Sequence, residues 1–223
     1  AFPFKERYCR VVLTLVTTRV LLKADLHHFP ENAFGSVASL VNPAVSRARD
    51  TLVIACSELG AAPDCISFGD RNRFLVLQHL AASIPSKSEC EGDGRHSFRK
   101  IEKEFEKHDF RQLIVCGHLS CGVISHWLQP VPAGFVDVGG YRIRFEQGAR
   151  RIVENNYSPG SAMKRLELMI FEHVLCQIEN LLTHPFLSER VRNGATSLHG
   201  WVIDADTARV YSYRPTESAY VII

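Results

Sequence analysis

The chain has 223 residues, 46% of them apolar and 22% charged, a size and balance that suit one globular domain and exclude a fibrous repeat or a long disordered tail. Its 26 Lys and Arg against 24 Asp and Glu leave a net charge of +2, and the basic residues lie singly or in pairs, so no basic stripe marks a nucleic-acid partner. Seven cysteines, an odd count in a chain long enough to build a core without disulfides, point to a cytoplasmic or other reducing compartment with thiols kept for other uses.

The first apolar stretch, 11–22 (VVLTLVTTRVLL), is broken by Arg19 and falls short of the roughly 20 residues that cross a bilayer, so no membrane span is expected. The segment after it, LKADLHHF, has no small-residue cleavage site, and with Ala in first place a leader can already have been removed, which leaves the organelle unread. Residues 1–50 hold apolar segments separated by His27, His28, Pro30 and Pro43 without regular alternation. They read as an N-terminal arm, suited to packing across a partner subunit or to serving its own domain as a first helix. Residues 51–223 form the main domain.

From Thr51 onward, short apolar runs alternate with longer segments of helical period, the pattern of an α/β fold with a central, mostly parallel sheet flanked by helices. The runs are 51–56 (TLVIAC), 74–80 (FLVLQHL) and 112–116 (QLIVC), and their apolar residues are consecutive, as in strands covered on both faces. Helices are predicted over 97–109, where Phe98, Ile101 and Phe105 share a face, and over 161–182, the longest. Residues 135–145 (FVDVGGYRIRF) alternate around Gly139-Gly140 and suit a small hairpin. Residues 200–213 suit a second one, turning at 204–208 on the sheet edge.

Cys56 closes the first strand, and Cys116-Gly-His118-Leu-Ser-Cys121 follows the third. In one parallel sheet both C-terminal ends lie along the same edge, where open α/β sheets place their sites, so Cys56, His118 and Cys121 can converge. Two thiolates and an imidazole form a soft, compact donor set that favours zinc and leaves one position open. The plain alternative makes Cys56 a small buried hydrophobe and His118 a hydrogen-bonded loop residue. Cys116, pointing away from the cluster, is read that way in either case.

Residues 113–123 (LIVCGHLSCGV), with Cys56-Ser-Glu58 at the end of the earlier strand, resemble the two zinc motifs of the β-class carbonic anhydrases, Cys-x-Asp-x-Arg and His-x-x-Cys. The stretch 174–185 (VLCQIENLLTHP) and Leu198-His-Gly-Trp201, with Asp204 and Val210, are similar to that family's penultimate helix and closing hairpin. The resemblance runs from about Thr51 to Tyr213. It implies a β-carbonic anhydrase-like fold with one antiparallel edge strand, a homodimer or higher assembly, and a Zn2+ ion held by Cys56, His118 and Cys121. It also implies reversible hydration of carbon dioxide to bicarbonate.

The sequence departs from the family in the groups around the metal. Glu58 stands for the Asp of the first motif and Gly60 for its Arg, the residue that holds the carboxylate off the zinc. Without that cation Glu58 has the reach to close the site as a fourth ligand. Leu77-Gln-His79-Leu-Ala81 replaces a polar Arg-Asn-x-Gly-Asn, Val123 replaces a glycine, and the 63–74 loop is one residue short. Arg71 and Arg73 precede their strand and belong at the opposite edge. His79 lies at the zinc end, where it can shuttle protons or pair with Glu58; its plainer role is a packed, hydrogen-bonded histidine.

Three functions are thus open: a carbonic anhydrase with Glu58 and His79 as catalytic groups, a zinc-binding homologue without turnover that serves as a structural or regulatory subunit, and a hydrolase of carbonyl sulfide or carbon disulfide. The remaining features read as structural. His199, Gly200 and Trp201 serve the closing hairpin, Cys65, Cys90 and Cys176 lack spacing partners, and His27-His28 reads as a solvated pair.

Overall fold

An apolar run without alternation can only be satisfied by cover on both faces. In the computed structural model, which describes residues 19–41, 49–60, 71–90, 95–131, 133–137 and 140–223, all three such runs are strands. The strands are β1 (Arg19–Leu21), β2 (Thr51–Cys56), β3 (Phe74–His79), β4 (Gln112–His118), β5 (Ser197–Asp204), β6 (Arg209–Arg214) and β7 (Ala219–Ile222). The helices are α1 (Val37–Val41), α2 (Lys87–Cys90), α3 (Arg95–Lys107), α4 (Gly122–Trp127), α5 (Tyr141–Phe145), α6 (Arg151–Asn156), α7 (Ala162–Leu182) and α8 (Pro185–Arg192), with a wider π turn, Glu146–Arg150, joining α5 to α6. Among the described residues no helix is long and apolar enough to cross a membrane. Expectations placed on 11–18, on Cys65 and on residues 63–70 of the short 63–74 loop lie outside the described residues.

The sheet order is β1-β7-β6-β5-β4-β2-β3. β3, β2, β4 and β5 are parallel, whereas β6, β7 and β1 join by antiparallel pairings, so the antiparallel edge is three strands wide. All six residues of β2 are buried. Leu52, Ile54 and Cys56 face the larger core with Phe98 and Ile101 of α3 and Met169, Phe171 and Leu175 of α7. Val53 and Ala55 face the other side with Ile114, Cys116 and Trp201, where Leu40 of α1 packs. Each fully buried Leu, Ile or Val contributes about 1.5–3 kcal/mol.

Residues 19–41 lie on their own chain: β1 pairs with β7, Arg19 opposite Val221, and Phe34 bridges to Leu198. Arg73 sits at the start of β3, far along the sheet from the strand tips. Its guanidinium forms a buried ion pair with Asp50 (Nη2 to Oδ2 3.1 Å) and donates to the Leu40 carbonyl at 2.9 Å.

The segment expected to be a hairpin over 135–145 is instead a helix start. Gly140 adopts a φ of +65° that favours glycine. The Asp137 carboxylate accepts from the backbone N–H groups of Arg142 (3.2 Å) and Ile143 (2.9 Å), satisfying donors that an N-terminal turn leaves open. The alternation of FVDVGGYRIRF is thereby outweighed by a cap that precedes the helix.

Candidate metal centre

β2 and β4 are adjacent and parallel, with Ala55 opposite Cys116, so both strands end at the same edge. Cys56 is the last residue of β2 and His118 the last of β4. Beyond His118 the backbone turns through Ser120, φ +58°, and delivers Cys121 immediately before α4. The Cys56 and Cys121 sulfurs lie 3.9 Å apart, and one donor atom each from Cys56, Glu58, His118 and Cys121 lie within 4.8 Å of one another. Cys116 points to the opposite face and is not among them.

The imidazole of His118 is oriented by its Nδ1, which donates to the Leu119 carbonyl at 3.0 Å. Its Nε2 is buried and, among the described residues, has no hydrogen-bond partner. A buried ring nitrogen without a hydrogen bond among the described residues, beside two thiols that share no disulfide, fits a metal ion far better than it fits a packed core, because a buried polar atom without a partner is costly. The hydrogen bond from the Cys121 thiol, set against burial, pulls Cys56 down to about 5, with His118 adding to the effect. Cys121, facing that thiolate, is pushed up. Burial lowers His118, but the Cys56 thiolate outweighs it and leaves the ring raised. N and S donors at this spacing suit zinc, and a metal ion would replace the thiol protons.

Glu58 leaves β2 on the short 3-10 turn Ser57–Leu59. Its Oε2 accepts from the Gly122 N–H at 2.7 Å and lies 3.7 Å from His118 Nε2. Gly122 makes this approach possible, since a Cβ there would stand 2.8 Å from Glu58 Oε1. Among the described residues no Lys or Arg pairs with Glu58. His79 ends β3 level with Cys56 in the register but outside the donor cluster. Its Nε2 is buried without a hydrogen-bond partner among the described residues, and burial, then the nearby Lys100, lowers its proton affinity.

Ile124, Ile170, Val174, Ala81, Gly117 and His173 wall the donors into a narrow cleft. His173 escapes a reading by motif, yet a Glu-His pair inside the otherwise apolar run of α7 is a visible signal. Its Nε2 donates to the Ala81 carbonyl at 3.1 Å, and burial pushes the ring down to about 4, so it stays neutral. Ala81 and Ala82 both adopt left-handed backbone, φ +51° and +55°, where the chain turns into the cleft wall.

A carbonic anhydrase family model matches residues 51–210. The chain is 26% identical over 168 residues to a carbonic anhydrase of Synechocystis sp., covering 73% of this chain and 58% of that protein's length. It is 26% identical over 188 residues to a carbonic anhydrase of Pseudomonas aeruginosa, covering 82% and 81% of the two chains. The structure of the beta-carbonic anhydrase CcaA superposes with a TM-score of 0.67 and 26% identity, over 78% of this chain and 84% of that one. A tetrameric beta-carbonic anhydrase of Sordaria macrospora shares the fold, with a TM-score of 0.62 at 18% identity, over 74% and 81%.

Proposed function

Because this chain belongs to the carbonic anhydrase family, in its β class, we propose that it catalyses the reversible hydration of carbon dioxide to bicarbonate with zinc held by Cys56, His118 and Cys121. The observation that carries this reading is the convergence, at adjacent strand tips, of two thiols outside any disulfide and an imidazole nitrogen with no hydrogen bond among the described residues. Bound there, zinc supplies the Lewis acidity that makes water a nucleophile near neutral pH.

The chain's own residues do the rest. The Leu119 carbonyl holds the His118 ring so that Nε2 faces the sulfurs. Glu58, fixed by the Gly122 N–H, presents a carboxylate beside the donors that orients the reacting water's proton. The apolar walls Ile124, Ile170 and Val174 exclude bulk water and accept a small nonpolar gas. His79, with a lowered proton affinity and an Nε2 that has no partner among the described residues, is the proposed relay that passes protons outward.

The zinc-loaded chain is expected to hydrate carbon dioxide in a stopped-flow indicator assay, and Glu58→Ala to lower turnover by about 10–100-fold, as removal of groups around a metal commonly does. One observation favours a second reading: Glu58 lies among the donor atoms, and no Lys or Arg among the described residues holds it away. A four-donor site would then be closed, and the protein a structural or regulatory homologue. In that case the zinc-loaded chain is silent and Glu58→Ala gains activity. Carbonyl sulfide and carbon disulfide assayed in parallel test whether the apolar wall selects a different gas.

We further propose a homodimer or larger assembly to which residues 1–50 contribute, as a reducing-compartment protein. Light scattering with and without residues 1–18 tests the assembly.

A further inference from the structure

His27 and Cys176, unremarkable in the sequence, meet on the other side of α7. With about 3.6 residues per turn, Glu172, Cys176 and Glu179 form one stripe of that helix, while Ile170, His173 and Val174 turn toward the strand-tip cleft. His27 is not a solvated residue: its side chain is only 4% exposed and lies on the stripe. Nε2 is 2.6 Å from Glu172 Oε2. Glu172 is fully buried, and its other oxygen accepts from the Tyr157 hydroxyl, which in turn accepts from the Lys23 N–H at 2.8 Å.

This arrangement fixes the imidazole. Nε2–H donates to a buried carboxylate, so Nδ1 is the nitrogen left free to face Glu179. Nδ1 approaches Glu179 Oε1 to 3.1 Å, yet it makes no directed hydrogen bond with any described residue. A nitrogen of His27, the Cys176 sulfur and a Glu179 oxygen lie within 4.8 Å of one another. A histidine whose far nitrogen is held by a carboxylate, with a second carboxylate at its near nitrogen and a thiol in the same cluster, has the anatomy of a metal ligand and its support.

We propose that His27 Nδ1, Cys176 Sγ and the Glu179 carboxylate form a second site for a divalent ion of the zinc type, with Glu172 and Tyr157 as positioning residues. The mixed N, S, O donor set suits zinc or cobalt and disfavours magnesium and calcium, which take oxygen ligands. Binding displaces the Cys176 thiol proton, and the Nδ1 proton where the ring carries one, to solvent, while the ion gains the thiolate and the imidazole lone pair. With three protein donors, the fourth position falls to water or to an external ligand.

The test is metal stoichiometry on the full chain, zinc-loaded and dialysed, with folding checked by circular dichroism. The expected result is two zinc ions per chain, falling to one in Cys176→Ala and in Glu179→Gln, and falling to one in Cys56→Ser/Cys121→Ser. Cobalt added to Cys56→Ser/Cys121→Ser is expected to give a thiolate charge-transfer band that Cys176→Ala abolishes. Glu172→Gln, which touches no ion, is expected to weaken zinc binding at this site about 10–100-fold. Should Cys176→Ala fail to fold, Glu179→Gln decides, since that side chain is partly exposed. Zinc content unchanged by Glu179→Gln, or a Cys56→Ser/Cys121→Ser chain that holds no ion, overturns the proposal. A chain that lacks carbon dioxide hydration yet loses one ion with Glu179→Gln supports it and counts only against the functional reading above.

Discussion

The strand-tip centre and the helix-stripe centre draw on the same donor types but support their carboxylates in opposite ways. Glu58 is 40% exposed, held by a backbone N–H, and free of any described Lys or Arg. Glu172 is wholly buried and held by an imidazole and a phenol. The contrast teaches that a carboxylate beside a metal site is either an adjustable chemical group at a wet edge or a fixed part of the packing, and burial decides which. Removing Glu58 should alter chemistry and spare stability; removing Glu172 should do the reverse.

The largest expected effect breaks one side of the comparison outright. Cys56→Ser is expected to abolish zinc binding at the strand tips and carbon dioxide hydration with it, while the ion held through Cys176 remains; elemental analysis and the stopped-flow assay read both. Next, Glu172→Ala leaves His27 without its main partner in the core and is expected to cost about 3–5 kcal/mol in urea unfolding of the metal-free chain, as broken buried pairs do. Glu58→Ala, at a partly exposed position, is expected to stay within about 0.5 kcal/mol of the parent in the same experiment. Equal losses from the two substitutions would erase the distinction.

A pH series sharpens it by removing a contribution that belongs to neither centre. His199, buried beside Gln112 and bonded to its side-chain oxygen at 2.7 Å, is pushed down by burial to about 3. Its folded value is depressed below the unfolded 6.5, so between these values the unfolded chain binds more protons and stability falls as the solution is acidified. The expected loss by pH 5 is about 2 kcal/mol from this residue, and His199→Gln should flatten that part of the curve. The smallest measurable loss concerns the helix shared by both centres. Ser161 caps α7 by accepting from the Lys164 N–H at 3.2 Å, and Ser161→Ala is expected to cost about 1 kcal/mol in thermal or urea unfolding.

The two regions also differ in how far they can be read from sequence. The runs 51–56 and 112–116 are legible because their apolar residues are consecutive, and parallel pairing then brings Cys56 and His118, where the second strand continues to residue 118, to one edge with only a short turn to Cys121. The long helix is legible from its period. The tether between Glu58 and Gly122 is not, because it depends on how two turns meet. Nor is the helix stripe, where His27 lies 145 residues from Glu172 in the chain and no motif links the two. The segment 135–145 misleads for a local reason: its alternation is real, but Asp137 and Gly140 make a helix start. β1 and β7, of three and four residues, are too short to carry a periodic signal.

The paired left-handed turn at Ala81 and Ala82 limits what evolution or design can write there. Each L-residue in that conformation costs about 1–2 kcal/mol, and a branched Cβ costs more, since it meets the following carbonyl. Tolerated replacements at both positions should therefore narrow to glycine, asparagine and aspartate, so that this stretch of cleft wall keeps a small-residue alphabet while the apolar walls around it vary in size.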